Sequence, residues 1–361
     1  MRHRLEHRHS IFCILPPDVL RDIARTGTEE QREAALRALA VDTTFRTLRA
    51  IRQAAPVAAA APTAVAIQGQ KQRTIYNCHN KMPSPGESVE QVRAEGAGPK
   101  GDAEVDEAYD GLGNTYDFYL NILNRNSIDD QGMPLDGYVH YGRGYNNAFW
   151  DGQRMVFGDG DGVLLTRFTI AADIMGHELT HGVTEKEAQL IYQGQSGALN
   201  ESISDVFGSL VKQYANGRQD ASNADWLIGE GIFKENANWA LRSMKNPGSA
   251  NPRDRQPGHM HDYVQTIEDN GGVHTNSGIP NKAFYLVATE IGGYAGEKAG
   301  RIWYAALRDS RLKPNARFVD FAQLTFVSAW NLFPAGREAE IVRDAWAQVG
   351  VEWAQAGVEA S

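Results

Sequence analysis

Apolar positions recur at different spacings along the 361-residue chain and divide it into stretches of different character. Residues 16–52 have helical spacing, and Thr28 and Gln31 are spaced as in a capping box at the start of a second helix. Over residues 73–161, short runs rich in β-branched and aromatic residues alternate with glycines, which predicts strands and turns. One amphipathic stretch over 105–124 interrupts them and is predicted to be a helix.

Beyond residue 168 the apolar spacing is mostly helical. The predicted helices cover residues 169–185, 198–217, 275–292, 296–310, 316–332 and 336–349. The pattern therefore predicts an α+β protein with two lobes, the first rich in strands and the second built from helices. The helix over 169–185 lies where the two lobes join.

Residues 53–70 contain no charged side chain, and Pro56 and Pro62 prevent one long helix from running through them. We interpret this stretch as a linker, with a surface loop as the alternative. The predicted organisation is a leader over 1–52, the linker over 53–70, a β-rich lobe over 71–185 and an α-helical lobe over 186–361.

Charge is distributed unevenly between the leader and the rest of the chain. The leader carries a net charge of +3 and the remainder −12, which together make the total of −9. Opposite charges predict that the leader docks on the body. An acidic body offers no basic face for nucleic acid, so we expect no such partner.

The chain lacks the apolar runs that target proteins to membranes. None approaches the roughly 18–20 residues that a membrane helix needs, so no membrane partner is expected. The apolar run over 11–15 stops at Pro16 and Pro17, short of the about 7–15 residues of a signal core. We therefore expect no standard signal peptide, and either a cytoplasmic location or export by a non-standard route. Two cysteines, Cys13 and Cys78, cannot form a disulfide framework.

The segment HELTH places His177 and His181 four positions apart in the helix between the lobes. Residues at i and i+4 share one helix face, so both imidazoles can reach one metal ion. Glu178 lies beside the first histidine, where its carboxylate can act as base on a water held by that ion. This is the pattern of zinc hydrolases. The alternative is two histidines on a solvated helix face.

A catalytic zinc site needs a third protein ligand. Some families place a histidine six residues after the second one, but that position here is Glu187. The segment NESISD supplies Glu201 and Asp205, again at i and i+4. We predict Glu201 as the third ligand and Asp205 as the acceptor that orients a ligand histidine. Either acid alone is equally explained by a solvated helix face.

His274 follows two glycines in the segment DNGGVHTNSG, and Asp269 precedes it by five positions. A lone histidine is more often structural than functional. The glycine-rich approach and the nearby acid favour a role for His274 at an open cleft, with Asp269 orienting its ring.

Six motifs in one order make the chain resemble the thermolysin family of zinc metalloendopeptidases. They are NNAFWDG, MVFGDGDG, HELTH, NESISD, LRSM and DNGGVHTNSGIPNKAFY, and the resemblance runs from about residue 72 to residue 350. The leader, with FCILPPDVL and a short helical segment, resembles the brief propeptide of the protealysin branch. The resemblance implies a thermolysin-like two-lobed fold with the zinc site on helices at the cleft, and a leader that is a propeptide.

The resemblance also implies residue roles. The residues that match the catalytic machinery are the zinc ligands His177, His181 and Glu201, the base Glu178, the supporting Asp205, the oxyanion-stabilising His274 and Tyr192, and Asp269 as the partner of His274. The residues that match substrate-binding positions are Asn147 and Ala148 for backbone, Arg242 for a carbonyl, and Leu165, Phe168, Ile174, Ile228 and Leu241 for the apolar pocket.

The resemblance therefore implies an endopeptidase with one catalytic Zn²⁺. It is expected to cut peptides and proteins on the N-terminal side of bulky apolar residues. A zinc-stabilised binding module is one alternative, but it would have no use for the base Glu178. A metal hydrolase acting on a non-peptide bond is another, and the pairing of Asn147 with Arg242, suited to peptide backbone, disfavours it.

The leader is predicted to block the cleft in cis until the chain is processed by itself between residues 49 and 70. Ile14, Leu15, Pro16 and Pro17 are predicted to lie in the cleft, where the prolines would resist cleavage. A weaker hypothesis has the Cys13 thiolate bind the zinc in the precursor. The alternative is that Cys13 is a small buried apolar residue.

One cluster departs from the family. Asp173, Asp225 and Glu230 match acids of its double calcium site, but Lys212 replaces the bridging acid and Leu227 another carboxylate. We predict that the Lys212 amino group lies among the three acids and replaces calcium there. The alternative is that Lys212 turns to solvent and one calcium ion remains.

Overall fold

The structure is a computed structural model that describes residues 12–54, 69–83 and 87–353. Most of the predicted linker lies outside these ranges, and so does the predicted processing region beyond Ala54. Of Cys13 only the backbone is described, so its predicted contact with zinc lies outside the described part.

The leader forms two helices, α1 over Pro17–Thr26 and α2 over Glu29–Ala54. The predicted capping box is confirmed, because the Thr28 N–H donates to Gln31 Oε1 at 2.9 Å and the Gln31 N–H donates to Thr28 Oγ1 at 3.3 Å. α2 extends into the start of the stretch predicted as a linker.

The first lobe contains a six-stranded sheet with spatial order β1-β5-β6-β4-β2-β3. Its strands are β1 Phe12–Cys13, β2 Arg73–Asn77, β3 Glu90–Ala94, β4 Leu135–Val139, β5 Ala148–Trp150 and β6 Arg154–Phe157. The β2–β4 and β4–β6 pairs are parallel and the others antiparallel. β1 belongs to the leader, so the leader supplies the edge strand next to β5.

The helix predicted over 105–124 is α3, which spans Ala103–Leu123. Asp102 caps its start by accepting from the Val105 N–H at 3.2 Å, and Asn124 ends it in the left-handed conformation with φ 53°. β3 was not predicted, because its sequence EQVRA has only two apolar residues.

The second lobe is helical, as predicted. α4 Ala172–Glu187 lies at the junction of the lobes. The elements that follow it are α5 Gly194–Ala215, β7 Leu227–Ile228, β8 Arg242–Ser243, α6 Asp269–Asn276, α7 Gly278–Ile291, α8 Ala299–Leu307, α9 Phe318–Leu332 and α10 Glu338–Gln348. The helix predicted from residue 169 begins instead with a separate 3₁₀ turn over Phe168–Ile170. The start of α6 has positive φ at Asn270, Gly271 and Gly272, which separates it from an ordinary helix.

Two glycines let α4 and α5 pack closely. A Cβ on Gly176 would lie 2.9 Å from the Gly208 Cα, and a Cβ on Gly208 would lie 2.5 Å from the Asp173 carbonyl oxygen. No larger side chain fits either position without moving a helix. This contact brings the HELTH segment of α4 against the NESISD segment of α5.

One connected group of buried apolar side chains spans both lobes and includes Ile14, Leu15, Leu20 and Ile23 of the leader. The leader is therefore packed into the same core as the body. Among the described helices, none combines the length and apolar character needed to cross a membrane.

Candidate active site

His177, His181 and Glu201 meet between α4 and α5, with ligand atoms that all lie within 4.8 Å of one another. The two Nε2 atoms are 3.0 Å apart, and each lies 3.5 Å from a Glu201 carboxylate oxygen. Ligands bound at about 2.1 Å to one tetrahedral ion are separated by about 3.4 Å. The three side chains thus have the chemistry and spacing of a zinc site.

The outer nitrogens of both histidines are already engaged. The His177 Nδ1 lies 2.8 Å from Asp205 Oδ1, and the His181 Nδ1 lies 2.8 Å from Asn200 Oδ1 and 3.0 Å from Ser204 Oγ. Carboxylate and amide oxygens accept the Nδ1 protons, which directs both Nε2 lone pairs toward the same point. The roles of Asn200 and Ser204 were not predicted from the sequence. The only signal for them was their spacing of one helix turn on α5.

Two further observations fit a metal ion at this point. Burial, and then the neighbouring His177, hold the pKa of His181 far below its usual range, so the ring is neutral as a ligand must be. Glu201 Oε2 is buried and has no hydrogen-bond partner among the described residues. A buried carboxylate oxygen without a donor is costly unless a cation faces it.

Asp205 connects the metal site to Arg242 at the end of β8. The guanidinium donates to it from Nε at 2.9 Å and from Nη2 at 2.7 Å, and Asn281 Nδ2 donates at 2.8 Å. Burial alone would raise the pKa of Asp205, but Arg242 and the hydrogen bond from His177 hold it well below its usual range. The carboxylate is therefore ionised at any ordinary pH. Asn281 was not identified from the sequence.

Glu178 is fully buried on the same helix, next to β5. Its Oε2 accepts a hydrogen bond from the Trp150 N–H at 3.2 Å. The predicted base thus lies between the histidine pair and the strand predicted to bind substrate backbone.

Tyr192, His274 and Asp269 form a hydrogen-bonded group next to Glu201. The Tyr192 hydroxyl donates to Glu201 and lies 3.3 Å from the His274 Nε2. Asp269 accepts from the His274 backbone N–H at 2.9 Å and lies 2.8 Å from its Nδ1. Burial opposes a charged ring, but Asp269 and then Glu201 raise the pKa of His274 to about 9. The structure therefore brings together the three residues that were predicted to stabilise the oxyanion or to support that group.

The residues predicted for the apolar pocket are all buried. Leu165, Phe168, Ile174, Ile228 and Leu241 belong to the core group that spans both lobes and also includes Ile14, and Ile228 pairs with Arg242 between β7 and β8. A Cβ on Gly229 would lie 2.8 Å from Leu241 Cδ1 and 3.5 Å from Ile174 Cδ1, which shows how closely these side chains surround that turn.

The leader runs through this site. Phe12 and Cys13 pair antiparallel with Trp150 and Phe149 of β5. The Arg242 Nη1 donates to the Ile14 carbonyl at 3.1 Å, and the Leu15 N–H donates to Asn147 Oδ1 at 3.3 Å. Ala148 pairs with Phe157 on the other side of β5.

Comparison with known proteins decides the family. Residues 60–185 match the family model described as thermolysin metallopeptidase, catalytic domain, and residues 188–351 match the model of its alpha-helical domain. This chain belongs to the thermolysin family of metallopeptidases. The chain is thus a thermolysin-type metalloendopeptidase, and His177, His181 and Glu201 form a group that could bind a metal ion.

Individual relatives of this thermolysin-family chain include short and long proteins. An extracellular metalloprotease of Pectobacterium carotovorum subsp. carotovorum is 50% identical over 348 residues, covering 95% of this chain and 97% of the relative. A thermolysin of Alicyclobacillus acidocaldarius subsp. acidocaldarius is 42% identical over 259 residues, covering 69% of this chain and 46% of the relative. The solved structure of the precursor of protealysin from Serratia proteamaculans has a TM-score of 0.83 at 50% identity, covering 94% of this chain and 99% of that one.

In this thermolysin-family chain, the contacts of Lys212 are close to those predicted from the sequence. The Lys212 Nζ lies 3.1 Å from Asp173 Oδ2 and 2.9 Å from Asp225 Oδ1, and donates to the Leu227 carbonyl at 3.0 Å. Burial opposes its charge, but Asp173 and Asp225 raise the pKa of Lys212 above its ordinary value. Glu230 is exposed and is not among its ion-pair partners, so that part of the prediction is wrong.

A second group of metal-ligand side chains lies at the start of α3. Asp102, Glu104 and His140 are close enough to share an ion, but they are partly exposed. The His140 ring lies 2.8 Å from Asp159 and 3.1 Å from Asp102, so ion pairing accounts for the group.

Proposed function

We propose that the chain is made as an inactive precursor, and that the mature enzyme cuts peptide bonds on the N-terminal side of bulky apolar residues. This proposal rests on the way the leader lies across the candidate active site. β1 extends the sheet at the edge of β5, as bound peptides commonly do. Arg242 and Asn147 bind the two sides of one peptide group, the Ile14 carbonyl and the Leu15 N–H. The leader follows the path proposed for substrate, with Ile14 as the residue after the cut.

The residue types at the predicted pocket positions support the proposed specificity. Buried leucine, isoleucine and phenylalanine side chains offer no partner for a charged or amide group, so such a group would be buried unpaired among them. Each methylene discriminates by only about 1–3 kcal/mol in such a pocket, so preference among Leu, Phe, Ile and Val is expected to be broad.

Zinc, when bound by His177, His181 and Glu201, supplies Lewis acidity to the scissile carbonyl and lowers the pKa of a water. In the proposed mechanism Glu178 takes the proton of the attacking water and passes it to the leaving nitrogen. The Tyr192 hydroxyl and the His274 imidazole donate hydrogen bonds to the oxygen that gains negative charge. Asp269 holds the His274 ring in place for this step.

The leader is proposed to inhibit the precursor in cis until its removal, which the enzyme performs on itself. The precursor of protealysin, with which this chain shares its fold, supports this proposal. The two proline residues after Leu15 lack backbone N–H groups, and we propose that they make the leader resist cleavage in the cleft.

Lys212 is proposed to take the place of calcium next to α4 and α5. Its ammonium group neutralises Asp173, which is 1% exposed and would otherwise be a buried charge without a cation. With the lysine between the acids, a calcium ion would face repulsion at the same position.

The specificity is tested with peptides that differ only in the residue after the cut. We expect kcat/KM to be at least about tenfold higher for Leu or Phe than for Ala, and no cleavage before Asp. Leu241→Ala in the pocket is expected to change this ranking, whereas Leu332→Ala on the exposed end of α9 is the matched control. Equal rates for Leu and Asp peptides would exclude the proposed pocket.

A further inference from the structure

The first turn of α1 places a leader carboxyl beside the Asp269–His274 pair. Asp18 interacts electrostatically with both of these residues across the interface between leader and body. Its Oδ1 is buried and has no hydrogen-bond partner among the described residues. An ionised carboxylate in this position is costly, because one oxygen lacks a donor and Asp269 repels it.

Three arginines at this interface have carboxylate partners of their own. Arg21 pairs with Glu268 at 2.9 Å, and Arg255 pairs with Asp22 at 3.2 Å. Arg253 pairs with Glu235 at 3.1 Å. A cavity of about 100 Å³ next to Asp18 is lined by these three arginines with Val19, Asp22, Arg25 and Glu268. None of these arginines supplies the hydrogen bond that Asp18 Oδ1 lacks.

The direction of the proton linkage follows from this environment. Burial and then Asp269 raise the pKa of Asp18, and they outweigh His274 and the backbone N–H groups of the first turn, which lower it. A docked carboxyl with a raised pKa carries no penalty while it is protonated. As pH rises above the ordinary aspartate pKa, the cost of ionisation opposes docking, and the cost is complete above the raised value.

We propose that Asp18 is a pH-sensitive latch that holds α1 against the Asp269–His274 pair while protonated and loosens the leader once it ionises. The proposal rests on the proposed function of the leader as an inhibitory propeptide. In this proposal a rise in pH promotes release of the leader and hence its processing.

The test compares self-processing of the zinc-loaded full-length chain from pH 5 to pH 8. An Asp18→Asn variant carries the neutral isostere, so we expect its processing rate relative to the wild type to fall as pH rises, by at least about threefold between pH 5 and pH 8. The pH dependence of catalysis itself is common to both chains and cancels in this ratio. A ratio that is constant with pH overturns the latch.

Asp22→Asn is the matched control, because it removes a carboxylate of the same helix from its ion pair with Arg255. It is expected to speed processing slightly at every pH, without a trend. Once the leader is removed, the wild-type and Asp18→Asn enzymes have the same sequence, so equal mature activity confirms that the difference arises in the precursor. If Asp18→Asn fails to fold, Asp18→Ser gives the same comparison.

The outcomes separate this proposal from the one on which it rests. A precursor that is fully active before processing overturns the inhibitory role of the leader, and the latch with it. If the precursor is latent but the ratio of the wild-type to the Asp18→Asn processing rate does not change with pH, only the latch is overturned.

Discussion

Asp205 accepts two hydrogen bonds from the Arg242 guanidinium, at 2.9 Å from Nε and 2.7 Å from Nη2. The same carboxylate lies 2.8 Å from His177 Nδ1. Arg242 Nη1 is left to bind a peptide carbonyl, as it does with Ile14 at 3.1 Å. One buried carboxylate thus positions both a metal-binding imidazole and the group that binds the peptide chain.

Asp205→Asn is expected to lower zinc affinity by about 10–100-fold, because the amide provides a weaker partner for His177 and loses the charge that balances Arg242. A chelator competition titration measures this affinity. Asp220→Asn, at an exposed turn, is the control and should leave it unchanged. Wild-type zinc affinity in Asp205→Asn would contradict the role assigned to this carboxylate.

Glu178→Gln is expected to lower turnover by about 10²–10⁴-fold while zinc content stays at one ion per chain, because the amide cannot take the proton of the attacking water. Mass spectrometry of the purified precursor over time should show the leader retained in this variant and removed from the wild type. Removal at the wild-type rate would mean that another protease performs the cleavage.

Tyr192→Phe and His274→Ala each remove a donor proposed to face the oxyanion. We expect kcat to fall by about 10²–10³-fold in His274→Ala, with a smaller change in KM, because the interaction forms mainly in the transition state. His261→Ala, an exposed histidine, is the control. A change confined to KM would assign both side chains to substrate binding instead.

Lys212→Met leaves Asp173 buried without its cation, and we expect the free energy of unfolding to fall by about 3–5 kcal/mol. A calcium-selective chelator that leaves zinc in place should barely change the wild-type melting temperature. Lys298→Met, at a half-exposed ion pair, is the control and should cost little. A large drop in wild-type melting temperature on chelation, reversed by calcium, would show that calcium binds despite Lys212.

Much of the metal site could be predicted from the sequence, because its parts are local. Residues four apart on a helix share a face whatever surrounds them, so His177 with His181, and Glu201 with Asp205, were identifiable as pairs. The capping box of Thr28 with Gln31 is equally local and is present as predicted. The two-lobed α+β layout followed from the change in apolar period along the chain.

Contacts between distant segments were decided only by the tertiary structure. Asn281 reaches Asp205 across 76 positions, and Arg242 reaches Ile14 across 228. Glu230 was assigned by position to the Lys212 cluster, but it is exposed and is not an ion-pair partner of Lys212. The two charged helix faces meet because Gly176 and Gly208 allow α4 and α5 to approach. A sequence specifies which side chains share a local face, whereas close packing of separate elements determines which faces meet.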